Sequence, residues 1–353
     1  MKVIIDDKIP YIKGWIEQFP YRESIVVKYL PGAQITRKEV ADADALIIRT
    51  RTHCNADLLE GSRVRFIATA TIGFDHIDTE YCQKKQIRWT NAPGCNADSV
   101  AQYIESVLYL LEKRTGRAFC DTTLGIVGVG HVGKKVEEMA GKLGVSVLRC
   151  DPPRADAEGE EGFCSLNELA EQCDILTFHT PLIREGIHPT YHLADHTLFS
   201  QMKKGACLIN TSRGEVVDNK VLLQALCEGV LSEAILDVWE NEPEPLPELL
   251  EKAFIATPHI AGYSADGKAN ATRMSLDSFC RFFQIQGNYR IEPPAPAQSI
   301  LHTTTLSEAI LAIYDPRQDS EALKNHPEQF EQLRGNYPLR REKGAYRFEF
   351  SRK

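Results

Sequence analysis

Along the first ninety residues, short apolar runs alternate with stretches in which apolar side chains recur every three or four positions. Val3-Ile4-Ile5, the run at 25–30, Ala45-Leu46-Ile47-Ile48 and Phe66-Ile67-Ala68-Thr69-Ala70 read as strands, and residues 11–19 as a helix. Runs without polar alternation suit strands covered on both faces, which is the condition of a parallel sheet. A long amphipathic stretch follows over 97–114, with Val100, Ile104, Val107, Leu108 and Leu111 on one side and Asp98 or Asn96 placed to cap it. Beyond it the βα rhythm resumes, with strands at 124–127, 145–148, 175–178, 207–209, 234–236 and 254–256. Helices are expected between them at 134–143, 166–171, 198–203 and 221–226. A second long helix is expected over 265–284, then a proline-rich linker at 291–297. The remainder holds an apolar helix at 306–313 and a terminal strand at 346–350.

This pattern predicts an α/β chain: two doubly wound parallel-sheet domains of Rossmann type, joined by the two long helices, and a small C-terminal α+β domain. The boundaries expected are 1–93 with about 263–287, then 94–262, then 288–353. The last piece is too small to be stable alone and should bury its apolar faces against the body of the protein or a second subunit.

The polar residues cluster where the strands end. After the strand at 124–127 comes Gly128-Val129-Gly130-His131-Val132-Gly133, with the G-x-G-x-x-G spacing. Gly128 allows the tight turn, Gly130 lets backbone approach a pyrophosphate, and Gly133 lets the helix pack close to the strand. The same spacing would serve a ligand-free turn, but here a strand precedes it, a helix follows, and the next strand closes on Asp151. An acid there accepts hydrogen bonds from ribose hydroxyls and repels a 2′-phosphate, so NAD is expected over NADP. In the first domain, Arg49-Thr50-Arg51-Thr52 at a strand end read as an anion site in preference to a solvated loop. Thr71-Ile72-Gly73 ends the next strand, its glycine suggesting a backbone that passes close to a ligand.

Composition narrows the classes. With 353 residues, 43% hydrophobic and 25% charged, the chain is ordinary globular sequence long enough for at least two cores. A net charge of -8 argues against a nucleic-acid or membrane-surface binder. Asp6 and Asp7 stand where a signal peptide needs its apolar core, and no run is long enough to span a bilayer, so a cytoplasmic protein is expected. The ten cysteines form no C-x-x-C pair and read as reduced small hydrophobes, Cys150, Cys207 and Cys280 among them. No metal site is expected.

Three further blocks carry a resemblance over nearly the whole chain. Asn210-Thr211-Ser212-Arg213-Gly214-Glu215-Val216-Val217-Asp218, Asp237-Val238-Trp239-Glu240-Asn241-Glu242-Pro243 and Pro258-His259-Ile260-Ala261-Gly262 are similar, in order, to the catalytic blocks of the D-isomer-specific 2-hydroxyacid dehydrogenases. Residues 92–97, 150–154, 180–193 and 262–268 resemble one branch of that family, which acts on a phosphorylated hydroxy acid and carries an extra C-terminal dimerisation domain. The resemblance implies an NAD-dependent homodimer in which His259 is the base, Glu242 its carboxylate partner and Arg213 the grip on the substrate carboxylate. It places Gly128, Gly130, His131, Val132, Gly133, Asp151, Thr180, Thr211, Ser212, Arg213, Asp237 and Gly262 at the cofactor. It places Arg49, Thr50, Thr71 and Tyr263 at the substrate. Arg51 departs from the family, which more often has a small apolar residue there. Other family members, such as 3-phosphoglycerate or simple 2-hydroxyacid dehydrogenases, and an NAD-sensing binding protein on the same scaffold are the competing readings. The run at 186–193 argues against the first and the intact Arg213, Glu242 and His259 against the second.

Overall fold

Each strand sends alternate side chains to opposite faces, and in this protein both faces are apolar. The computed structural model describes residues 1–19 and 22–351. It divides into two compact units, Met1–Asn96 with Ser264–Ala295, and Ala97–Tyr263 with Pro296–Lys353.

In the first unit β1 (Lys2–Asp6), β2 (Val26–Leu30), β3 (Ala45–Ile48), β4 (Phe66–Thr69) and β5 (Arg88–Thr90) form a parallel sheet in the order β2-β1-β3-β4-β5. Val3, Ile5, Ala45, Ile47 and Phe66 face Trp15, Phe19 and Phe279 of the helix Ala265–Phe283. Their neighbours Ile4, Leu46, Ile48 and Ile67 face Val40, Leu58 and Leu59 on the other side.

The second unit holds β6 (Thr123–Val127), β7 (Ser146–Cys150), β8 (Ile175–Phe178), β9 (Ala206–Asn210), β10 (Leu231–Leu236) and β11 (Ile255–Ala256), parallel in the order β11-β10-β9-β8-β6-β7. One face packs on the helices Ala97–Thr115 and His131–Leu143. The other packs on Leu166–Gln172, His196–Gln201 and Asn219–Cys227. Strand order reverses between β6 and β8, and ligands of such sheets gather outside the strand ends at that point. A third, two-stranded parallel sheet pairs β12 (Ile300–Thr303) with β13 (Arg347–Phe350). These sheets give the two Rossmann-type domains that the pattern predicts, and the terminal strand expected at 346–350 is β13, paired in a small C-terminal sheet.

Several local expectations are corrected. Residues 11–19 form turns and one 3-10 turn, Ile16–Gln18, because Gly14 takes a left-handed φ of 84° that breaks a helix. The helix expected at 198–203 is His196–Gln201, started by Asp195, whose carboxylate accepts Leu198 N–H at 3.0 Å. The short edge strand β5 and strand β12 carry too many polar residues to be seen by pattern. The C-terminal segment has two further helices, Pro316–Asn325 and Phe330–Gly335. They are integral to the second unit: Leu323 and Phe330 are buried in its core, and Ser320 Oγ accepts Ala256 N–H of edge strand β11 at 3.0 Å. All ten cysteines are free, but Cys280 is only half-buried and Cys120 and Cys227 are exposed.

Candidate active site

At the reversal point of the second sheet, the glycine turn has the geometry its spacing requires. Gly128 sits at φ 88°, and a Cβ there would lie 2.9 Å from the His179 carbonyl. A Cβ on Gly133 would lie 2.1 Å from Gly128 O, so only glycine lets the helix His131–Leu143 come this close to β6. Nothing lies within 4 Å of a Cβ on Gly130, the residue that caps the helix through no side chain. Backbone approach at Gly130 is therefore unobstructed, beside a helix N-terminus of the kind that attracts a pyrophosphate. Asp151, after β7, accepts Val129 N–H at 2.8 Å and Arg154 N–H at 3.2 Å, which ties the turn to the next strand end.

Beside the turn is a cavity of about 350 Å³ lined by Val127, Gly128, Gly130, Asp151, Thr180 and the largely apolar Pro152, Pro153, Leu166, Ile183, Ile187 and Leu193. Its walls suit a purine and its rim a ribose. Thr180 Oγ1 is buried with no partner among the described residues, as a group awaiting a ligand would be. The segment at 183–193 is fastened over this cavity by His188 Nε2 to Asp156 Oδ2 at 2.7 Å and by His192 Nε2 to Glu240 Oε1 at 2.6 Å. These residues fit NAD: an open helix terminus, an acid at the second strand tip and an apolar slot.

His259 follows β11 in a left-handed conformation, φ 56°. Its Nδ1 lies 2.8 Å from Glu242 Oε2, which leaves Nε2 as the nitrogen for a substrate. Burial alone would raise the Glu242 carboxyl. The hydrogen bond and charge of His259, the Trp239 N–H and the Arg334 guanidinium outweigh it and hold the group below its ordinary value. Glu242 is thus held as an anion against the His259 ring.

The loop carrying His259 is itself held from below. Asp237, after β10, is buried, and its Oδ1 accepts Thr257 Oγ1 and Ile260 N–H, both at 2.7 Å, while Oδ2 accepts Ala261 N–H at 2.9 Å. Burial raises its carboxyl despite these donors and the nearby His259. Trp239, also buried, donates Nε1–H to Thr257 O at 3.0 Å and its N–H to Glu242 Oε1 at 3.1 Å. Gly262 and Tyr263 complete the turn, with Tyr263 N–H donating to Ile260 O at 2.8 Å.

Arg213 stands past β9, exposed, with Nη1 donating to Ser212 O at 2.7 Å. Asn210 shapes this turn: its Oδ1 accepts Ser212 N–H at 3.1 Å and Ser212 Oγ at 2.9 Å, and its Nδ2 donates to Arg213 O at 2.8 Å. Ser212 is therefore occupied with the backbone turn. Thr211 Oγ1 lies 3.3 Å from Nδ1 of His179, a ring that the surrounding protein drives down to about 3 and that Thr177 Oγ1 meets at 3.0 Å on the other side. His131 and Val132 open the helix after the turn.

In the first unit, Arg49 Nη1 donates to Lys8 O at 3.2 Å and Thr50 and Arg51 are exposed, while Thr52 is buried and donates to Gly32 O at 3.0 Å. Thr71 Oγ1 donates to Gly73 O at 2.8 Å.

Pattern reading did not single out His179, Asn210, Thr257, Arg334 or Arg340. Asn210 lies in a block that drew attention for its arginine. Arg334 and Arg340 sit in charged sequence with no local signal. Arg334 Nε donates to Tyr263 OH at 3.1 Å, and Arg340 Nη2 to Ala261 O.

Residues 102–261 match the family model for the NAD binding domain of the D-isomer specific 2-hydroxyacid dehydrogenases. Residues 294–352 match a domain of unknown function, DUF3410. The chain is 60% identical over 98% of its length, and 99% of the relative's, to an erythronate-4-phosphate dehydrogenase of Bacteroides fragilis. It is 42% identical to one of Escherichia coli, covering 97% of this chain and 92% of that one. Among solved structures, D-lactate dehydrogenase from Aquifex aeolicus, complexed with NAD and lactic acid, superposes with a TM-score of 0.57 at 26% identity, over 83% of this chain and all of that one. The chain belongs to the erythronate-4-phosphate dehydrogenase family.

Proposed function

We propose that this enzyme oxidises 4-phospho-D-erythronate with NAD to (R)-3-hydroxy-2-oxo-4-phosphooxybutanoate, the second step of pyridoxine and pyridoxal 5′-phosphate biosynthesis, as a cytoplasmic homodimer. The observation that carries the reading is the His259 Nδ1 to Glu242 Oε2 bond at 2.8 Å. Bound at the glycine turn, NAD supplies the hydride acceptor. His259 takes the C2 hydroxyl proton at Nε2, and Glu242 stabilises the imidazolium so formed. Arg213 forks onto the substrate carboxylate and draws electron density from the reacting carbon–oxygen bond. Asp151 would hold the adenosine ribose and Thr180 the adenosine side, with Asp237 buried beneath the His259 loop near the nicotinamide amide. Gly128, Gly130, His131, Val132 and Gly133 meet the pyrophosphate, with Thr211, Ser212 and Gly262 lining the cofactor's far end. Arg49, Thr50, Thr71 and Tyr263 hold the substrate. As domains, 1–93 with about 263–287 bind substrate, 94–262 bind NAD and 288–353 dimerise. Exposed Ile300, Leu306 and Phe350 on and beside the small sheet support that last role, which sedimentation at micromolar concentration tests.

A substrate panel of 4-phospho-D-erythronate, 3-phosphoglycerate and D-lactate, scored by reduced nicotinamide absorbance, tests the whole. Preference for the first by kcat/KM is the expected result. Binding of NAD with turnover of none would return the chain to an NAD-sensing role.

A further inference from the structure

The helix Phe330–Gly335 belongs to the stretch that matches a domain of unknown function, yet its last turn reaches the chemistry. Arg334 Nε donates to Tyr263 OH at 3.1 Å, its guanidinium lies over the Tyr263 ring at 5.8 Å, and its Nη1 is 4.0 Å from Glu242 Oε2. Six residues on, buried Arg340 grips Ala261 O and stacks on Tyr314 at 4.4 Å. The loop bearing His259 is thus held by Asp237 through its N–H groups and by the C-terminal segment through its carbonyl and its tyrosine.

We infer that Arg334 is a positioning residue of the acid–base pair, fixing Glu242 beside His259 and the Tyr263 hydroxyl at the substrate. Packing is an insufficient account of it: Phe330, 1% exposed, anchors the helix, whereas the Arg334 side chain is 28% exposed. An ordinary surface pair with Glu331, 3.9 Å away, would contribute little. The charged groups facing Glu242 are His259 and Arg334. Glu331 stands beside the arginine, and Asp237 acts on His259 from below. Arg334 adds to the forces that lower the Glu242 carboxyl, so its loss eases protonation of the pair. Its charge and its fork act separately. The charge reinforces the ionisation of Glu242 behind the larger effects of His259 and Trp239, and the Nε–H holds the Tyr263 hydroxyl.

This inference rests on the reading of Glu242 and His259 as the base unit, and the test separates the two. Full-length Arg334→Gln and Arg334→Lys are assayed for 4-phospho-D-erythronate oxidation across pH, with NAD affinity and thermal melting measured alongside. Arg334→Gln is expected to move the acid-side limb of the kcat/KM profile to higher pH and to raise KM by roughly tenfold or more, as loss of a charge-assisted hydrogen bond does, with NAD affinity unchanged. Arg334→Lys keeps the limb in place while KM still rises, and adding Tyr263→Phe to it raises KM less than Tyr263→Phe does alone. An unmoved limb and KM in Arg334→Gln overturn the inference. So does a parallel fall of kcat, NAD affinity and melting temperature in both variants, which would mark a structural role only. If Arg334→Gln does not fold, a wild-type KM in Arg334→Lys overturns it. Wild-type protein inert toward 4-phospho-D-erythronate would instead defeat the functional reading, and the same variants are then scored on the 2-hydroxy acid it does oxidise.

Discussion

The two large sheets share a winding order over their first five strands, yet their first strands end in opposite chemistry. β6 runs into Gly128-Val129-Gly130 and the 13-residue helix His131–Leu143, whose N-terminus has no side-chain cap and room beside Gly130. β1 runs into Asp6 and Asp7, after which the chain forms turns and a three-residue 3-10 helix. Asp6 is buried and accepts Lys8 N–H at 2.9 Å, so carboxylates occupy the place where the second sheet offers donors. A pyrophosphate is attracted by one and repelled by the other. Topology supplies a crevice, and the residues at the strand tips decide what enters it.

On the proposed reading the chemistry belongs to the second unit, and removing its base should have the largest effect. His259→Asn is expected to cut turnover on the order of a hundred- to ten-thousand-fold while NAD titration stays normal. Thr71→Val in the first unit should change mainly KM. Near-normal turnover in His259→Asn would move the base elsewhere along the strand edge. Next in size, Gly133→Ala forces a Cβ to 2.1 Å from Gly128 O. Strain of roughly 1–3 kcal/mol should weaken NAD binding by about tenfold to a hundredfold in calorimetry. Unchanged affinity would mean that the turn does not carry the cofactor.

Asp151→Ala should weaken NAD by about tenfold and narrow its advantage over NADP. Because Asp151 also holds Val129 N–H, part of that loss comes from a looser turn, and Asp151→Asn separates the two contributions. Equal use of both cofactors by the wild-type enzyme would remove the role given to this acid.

The smallest effect is a pH dependence of stability. His179 is held at about 3 in the fold, well below its ordinary 6.5, so between these values the unfolded chain binds a proton that the folded chain does not. Its contribution is therefore full above pH 6.5 and declines as pH falls toward 3. The slope is at most about 1.4 kcal/mol per pH unit, and less here because the ring borders the open cavity. Urea unfolding at pH 7 and pH 5 should show a smaller drop for His179→Gln than for wild type. Equal drops would mean the ring titrates normally.

Residue order alone was enough to specify the βα rhythm, both long helices, the glycine turn and the acid that closes it. Each of these rests on residues within one element or one turn: apolar periodicity, a glycine with no room for a Cβ, a carboxylate at a strand tip. The failures have equally local causes, as where Gly14 broke a helix that apolar spacing suggested. Contacts across sequence distance were decided only by the packed fold. Nothing near Asp237 announces that its carboxylate gathers the N–H groups of Ile260 and Ala261, and nothing in the charged stretch around Arg334 points to Tyr263, 71 residues earlier. A buried carboxylate needs donors, and an arginine with a long stem can reach many acceptors. Which ones they find is set by how the strand ends and the C-terminal helices pack, and hydrophobic patterning carries no information about that choice.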